Sequence, residues 1–162
     1  MRSIISVLVE NRAGVLSRIA GLFARRGFNI ESLAVGETEE ITISRMTIVV
    51  EGDEGVIQQV IKQLNKQIDV IKVREFQIGM ATRRELALVK VKASPKARGE
   101  IIDIATIMKA KIVDLSSTTM TLEVSDRPEK IKQVLAMLES YGIIEMARTG
   151  MVALQKGSAG IM

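Results

Sequence analysis

Residues 3–10 are mostly apolar and predict a strand. Residues 14–26 then set Val15, Leu16, Ile19, Ala20, Leu22 and Phe23 at the three-and-four spacing of an amphipathic helix. Strands are expected at 30–36 and 43–51, the latter with Met46, Ile48 and Val50 alternating with Arg45, Thr47 and Val49. A second helix over 54–66 carries Ile57, Val60, Ile61 and Leu64 on one face, and a strand over 69–76 follows. Gly27 suits a left-handed stop for the first helix, and Asp53 suits the cap of the second. The order is βαββαβ, with both helices needing one sheet face to lie on.

The order then repeats. Strands are expected at 85–93, 112–116, 119–124 and 143–148, and helices at 97–110 and 128–140, with Pro128 fitting a first helical turn. The fold class is therefore α+β, as two ferredoxin-like βαββαβ domains of about 75 residues each rather than one large sheet. The expected boundaries are 1–76 for the first domain, 77–83 for a linker, 84–156 for the second domain and 157–162 for a flexible tail. The loops of the two units differ: Ser94-Pro95-Lys96-Ala97 stands where the first unit has Asn11 to Gly14, and Ala110-Lys111 where it has Gly27 to Asn29.

Composition narrows the chemistry. With 162 residues, 47% of them hydrophobic, the chain can build a core in either domain. Its net charge of +4 is uneven: 10 basic and 10 acidic side chains up to residue 76, then 13 and 9. Four excess charges spread over the second half suit an acidic protein partner but not a nucleic-acid stripe. Having neither cysteine nor histidine removes disulfides, thiolate nucleophiles, imidazole bases and the usual zinc or iron ligands. The start enters a strand directly, and no apolar run is long enough to span a membrane, so a soluble cytoplasmic protein is expected.

The candidate site is the turn Asn11-Arg12-Ala13-Gly14-Val15-Leu16 between the first strand and helix, answered by Gly27-Phe28-Asn29-Ile30 at the helix's far end. A helix start offers unpaired N–H groups and a positive dipole end, which suit a carboxylate. Gly14 leaves room for close approach, and the amides of Asn11 and Asn29 can each donate and accept, as the charged end of a free amino acid requires. The bland alternative makes Asn11, Gly14 and Asn29 ordinary turn and cap residues. Leu16 and Ile30 could touch a ligand's side chain, but their periodicity equally places them in the core. Arg45 is expected on an exposed strand face, and Met46 and Met137 in packing.

The run Leu8-Val9-Glu10-Asn11-Arg12-Ala13-Gly14-Val15-Leu16-Ser17-Arg18, with Arg26-Gly27-Phe28-Asn29-Ile30-Glu31-Ser32-Leu33 and Ser44-Arg45-Met46-Thr47-Ile48, resembles the small, regulatory subunits of acetolactate synthase, also called acetohydroxyacid synthase. Arg84 to Val91 and Ala147-Arg148-Thr149-Gly150 resemble that family's C-terminal domain. The resemblance implies that the first half is an ACT domain, which senses amino acids. It further implies a homodimer through that domain, with Asn11 and Gly14 of one copy facing Asn29 of the other in an effector site of Asn11, Gly14, Val15, Leu16, Asn29 and Ile30. The implied partner is the catalytic large subunit, which carries thiamine diphosphate and magnesium, this chain holding no cofactor of its own. The implied effector is valine or another branched-chain amino acid.

Other classes fit less well. No spacing among the remaining Lys, Asp, Glu, Ser, Thr and the lone Tyr141 suggests a catalytic set. An RNA-binding βαββαβ module stacks bases on sheet aromatics, and here there are only Phe23, Phe28, Phe76 and Tyr141. A DNA-binding regulator would need a helix-turn-helix, for which no segment is spare. The alternative that stays open is an ACT-domain sensor subunit of another biosynthetic enzyme.

Overall fold

The computed structural model describes residues 2–162, which divide into two compact units: residues 2–82 with Met151–Met162, and Arg83–Gly150. In the first unit the elements are β1 (Arg2–Glu10), α1 (Val15–Arg26), β2 (Asn29–Glu37), β3 (Ile43–Glu51), α2 (Glu54–Asn65) and β4 (Val70–Phe76). The sheet order is β2-β3-β1-β4, all pairs antiparallel, which leaves β2 and β4 as edges. Ile5, Val7 and Val9 of β1 and Met46, Ile48 and Val50 of β3 share one face, and Val15, Ile19, Leu22 and Phe23 of α1 with Ile57, Val60 and Leu64 of α2 cover it. Phe23 and Phe28 meet edge to face, ring centroids 5.9 Å apart. Gly27 ends α1 at φ 68°, and the Asp53 carboxylate caps α2 by accepting from Val56 N at 2.8 Å.

Three expectations about side chains are corrected. Leu16 is 46% exposed, because the buried stripe of α1 runs through Val15, Ile19 and Leu22 and leaves Leu16 on its flank. Met137 is likewise 46% exposed, beside a stripe made by Ile131, Val134 and Leu138. Arg45 is half-buried: the second face of its sheet is covered, and its Nη2 donates to the Ala153 carbonyl at 3.3 Å. Burial holds the Arg45 guanidinium below its ordinary pKa, with Glu39 pulling the other way.

What covers that second face is a strand absent from the sequence-based pattern, β9 (Val152–Gln155). Met151 and Ala153 pack with Ile4, Val49, Phe76 and Ala81 in a separate small core. The expected division at 84–156 therefore differs from the folded one, since the chain from Met151 onward returns to the first unit. The 77–83 stretch is also more than a linker: Ile78–Met80 form a 3-10 turn and β5 (Ala81–Lys92) starts at Ala81. No regular element follows Gln155 among the described residues.

The second unit continues β5 and adds α3 (Pro95–Met108), β6 (Lys111–Leu115), β7 (Thr119–Asp126), α4 (Pro128–Leu138) and β8 (Ile143–Arg148), with sheet order β6-β7-β5-β8. Ala87, Val89 and Val91 of β5 and Met120, Leu122 and Val124 of β7 pack against Ile101 and Ala105 of α3 and Ile131, Val134 and Leu138 of α4. Both units are thus βαββαβ, the ferredoxin-like pattern. Tyr141 Oη donates to Glu100 at 2.8 Å, which raises the tyrosine pKa and ties the end of α4 to α3.

Candidate functional site

The end of β1 is lashed to the loop between β2 and β3. Asn11 N donates to Thr42 O at 2.9 Å, and Asn11 Nδ2 donates to Ile41 O at 2.8 Å and lies 3.5 Å from Glu37 Oε1. The chain then turns at Gly14, whose φ of 85° and ψ of −10° lie in the left-handed region that favours glycine. No side chain caps α1. Helix geometry gives the amides of Leu16 and Ser17 no intrahelical acceptor, so they point out of the helix start with the positive end of its dipole.

Asp69 organises this turn. Its carboxylate is 4% exposed and accepts from Arg12 Nη2 at 3.0 Å and from Arg18 Nε at 2.7 Å, while its carbonyl accepts from Glu10 N at 2.9 Å. The Arg18 hydrogen bond is the first reason that the carboxyl sits below the usual carboxylate range, with Arg12 adding to it against the cost of burial. Arg12, Arg18 and Asp69 together carry one net positive charge beside Gly14, while the Glu37 carboxylate lies on the Asn11 side of the turn. A Cβ placed on Gly14 would come within 3.0 Å of Arg18 Nη1, so the glycine also makes room for that arginine.

Asp69→Asn is expected to loosen the turn and lower the melting temperature at neutral pH. The folded pKa is depressed, so the stabilisation exists above the carboxylate's unfolded value and fades as pH falls through the folded one. Thermal melts should therefore show variant and wild type converging in strong acid; an equal gap at all pH values would remove Asp69 from the role of anchor.

The structure brings four of the six candidate residues together. Asn11, Gly14, Val15 and Leu16 share the turn, although the Val15 side chain is buried in the core at 3% exposure, so that only its backbone faces outward. Leu16, by contrast, presents its side chain to solvent. Asn29 opens β2 opposite Glu51, which pairs on its other side with Arg2, whereas Glu37 at the far end of β2 lies level with Ser44 and Val9. Within one copy Asn29 and Asn11 consequently stand at opposite ends of the sheet, roughly 25 Å apart at about 3.3 Å per residue. Ile30 is half-buried against the core.

Residues 5–72 match the AHAS small subunit-like ACT domain, and residues 84–157 match the small subunit of acetolactate synthase. The chain is 52% identical over 158 residues to a probable acetolactate synthase small subunit of Archaeoglobus fulgidus, covering 98% of this chain and 99% of that one. It is 49% identical over 157 residues to the acetolactate synthase small subunit of Mycolicibacterium smegmatis, covering 97% and 92%. The chain belongs to the acetolactate synthase small-subunit family. The crystal structure of such a subunit from Thermotoga maritima has the same fold, with a TM-score of 0.92 at 36% identity over 98% of this chain and 99% of that one.

Against this small-subunit background, two groups escaped the sequence reading, Asp69 at the turn and Ser32 in β2. Asp69 looked like a residue at a strand boundary, yet a lone acid beside the apolar run Val70-Ile71 has to be paired if it is buried, and Arg12 and Arg18 stand on either side of Gly14. Ser32 carried no signal at all. It follows a bulge in β2 and accepts from Met151 N at 2.9 Å. Among the described residues no cluster of three metal-ligating side chains is present, and no helix is long and apolar enough to cross a membrane.

Proposed function

We propose that the chain is the regulatory subunit of acetolactate synthase, activating a catalytic subunit and transmitting feedback inhibition by a branched-chain amino acid, valine first, in branched-chain amino acid biosynthesis. It works in the cytoplasm and is not itself the catalyst. Thiamine diphosphate and magnesium belong to the catalytic subunit. The observation that carries the effector reading is the Gly14 turn: bare helix-start amides and two arginines offer an anion site, with the exposed aliphatic Leu16 next to it.

The site is completed by a second copy. Strand β2 is an open edge, and its residue Val35 is 45% exposed, as is Leu16 of α1 at 46%. Antiparallel pairing of two β2 edges centred on Leu33 sets Asn29 of one copy opposite Glu37 of the other. Glu37 is the residue whose carboxylate lies 3.5 Å from Asn11 Nδ2. Two copies related by a two-fold axis then make two equal sites, each with the Asn11 and Gly14 turn from one copy and the Asn29 amide and Ile30 from the other.

Titration calorimetry of the isolated chain with valine, leucine, isoleucine and threonine tests this. Valine is expected to bind the dimer with measurable heat and to raise its melting temperature. A sensor subunit for another biosynthetic enzyme would prefer a different effector, and no response to any of the four with the dimer intact would end the assignment.

A further inference from the structure

Ser32 and the segment that follows Gly150 meet at a place that suits signal relay. Ser32 lies in β2, the edge strand on which the effector reading depends, immediately after the bulge between Ile30 and Ser32. The bulge puts Ser32 beside Val49, on the face away from the helices, where its hydroxyl accepts from Met151 N at 2.9 Å. Met151 is 7% exposed, and the segment behind it is held by Arg45 to the Ala153 carbonyl at 3.3 Å and by Arg74 Nη1 to Gln155 Oε1 at 3.3 Å. A displacement of β2 at Ser32 therefore reaches Met151 directly, besides the paired strand β3.

On the other side of Gly150 the chain is equally fixed. Thr149 N donates to Leu86 O at 3.0 Å, and Thr149 Oγ1 accepts from Leu86 N at 3.1 Å, both inside the second unit. Between the residue clamped to β2 and the residue clamped to β5 stands only Gly150, at a φ of 79°. A one-residue connection has almost no slack to absorb movement, unlike a flexible linker.

We infer that Ser32 is a positioning residue for feedback: it couples the β2 edge to Met151, and through Gly150 to the second unit, so that effector binding is felt beyond the first unit. This rests on the proposed effector site and adds the route by which that site is read out. Ser32 is not a ligand contact, because its hydroxyl is directed to Met151 on the face opposite the helices.

The test uses the full chain reconstituted with its catalytic subunit, with L-valine as the probe and Ser32→Ala and Ser32→Thr as variants. Ser32→Ala should bind valine in calorimetry within about 2-fold of wild type, and activate the catalytic subunit normally, while its allosteric coupling falls by about 3- to 10-fold. Amide exchange at Met151 should speed up in the same variant. Ser32→Thr, which retains the acceptor, should restore inhibition. Full inhibition through Ser32→Ala would overturn the relay, and so would a loss of binding that matches the loss of inhibition. Failure of the effector site itself would be visible separately, as a wild-type chain that neither binds nor responds to valine, and that outcome would overturn the relay with it.

Discussion

Gly14→Asp should abolish valine inhibition while leaving activation of the catalytic subunit largely in place. Two effects act together. A residue other than glycine at φ 85° is strained, although Asp tolerates this region better than most, and the new Cβ would lie 3.0 Å from Arg18 Nη1. The added carboxylate would also face the carboxylate of an incoming amino acid. Like charges about 4 Å apart at an effective dielectric of about 20 repel by about 4 kcal/mol. Arg12, Arg18 and solvent offset part of this, and a remainder of about 2 to 3 kcal/mol weakens binding roughly 30- to 150-fold. The new carboxylate also competes with Asp69 for Arg18, so a modest drop in melting temperature should accompany the loss. Calorimetry together with inhibition curves on the reconstituted enzyme decides the matter, and undiminished valine sensitivity would reduce Gly14 to a helix start.

The regular elements were legible because period and punctuation agreed: Met46, Ile48 and Val50 alternate, Ile57, Val60, Ile61 and Leu64 recur at helical spacing, and Gly27 and Asp53 stand where a helix ends and begins. The turn around Gly14 was legible for the same reason. Asp69 was not, since its meaning depends on Arg12 and Arg18, which are 57 and 51 residues away. Nor was β9, whose four residues carry too short an alternation to distinguish a strand from a tail. Burial on both faces of β1 was the available hint: Ser3 and Ser6 sit among Ile4, Ile5, Val7 and Leu8, and a strand that apolar on both sides needs a second cover. The exposure of Leu16 shows the opposite limit, because an apolar stripe wider than one sheet can cover leaves residues free for another partner.

Removing Met151–Met162 should destabilise the first unit far more than the length of the segment suggests. Met151 and Ala153 are 7% and 5% exposed, and they cover Ile4, Val49, Phe76 and Ala81. Uncovering roughly 200 Å² of apolar surface at about 25 cal/mol/Å² costs about 5 kcal/mol, comparable with the whole stability of many small domains. Arg45 and Arg74 lose their acceptors at Ala153 and Gln155 in the same step. The shortened chain is expected to bind a hydrophobic dye and to melt early or without cooperativity. Point variants separate packing from chain length. Met151→Ala should cost about 2 to 3 kcal/mol in denaturant unfolding, as large-to-small changes at buried sites do. Val152→Ala and Leu154→Ala, whose side chains are 51% and 60% exposed, should cost about 0.5 kcal/mol or less. One large loss at the buried position beside two small losses at the exposed ones is what a segment with one buried face produces. Equal small losses at all three positions would mean that the segment does not cover the sheet in solution.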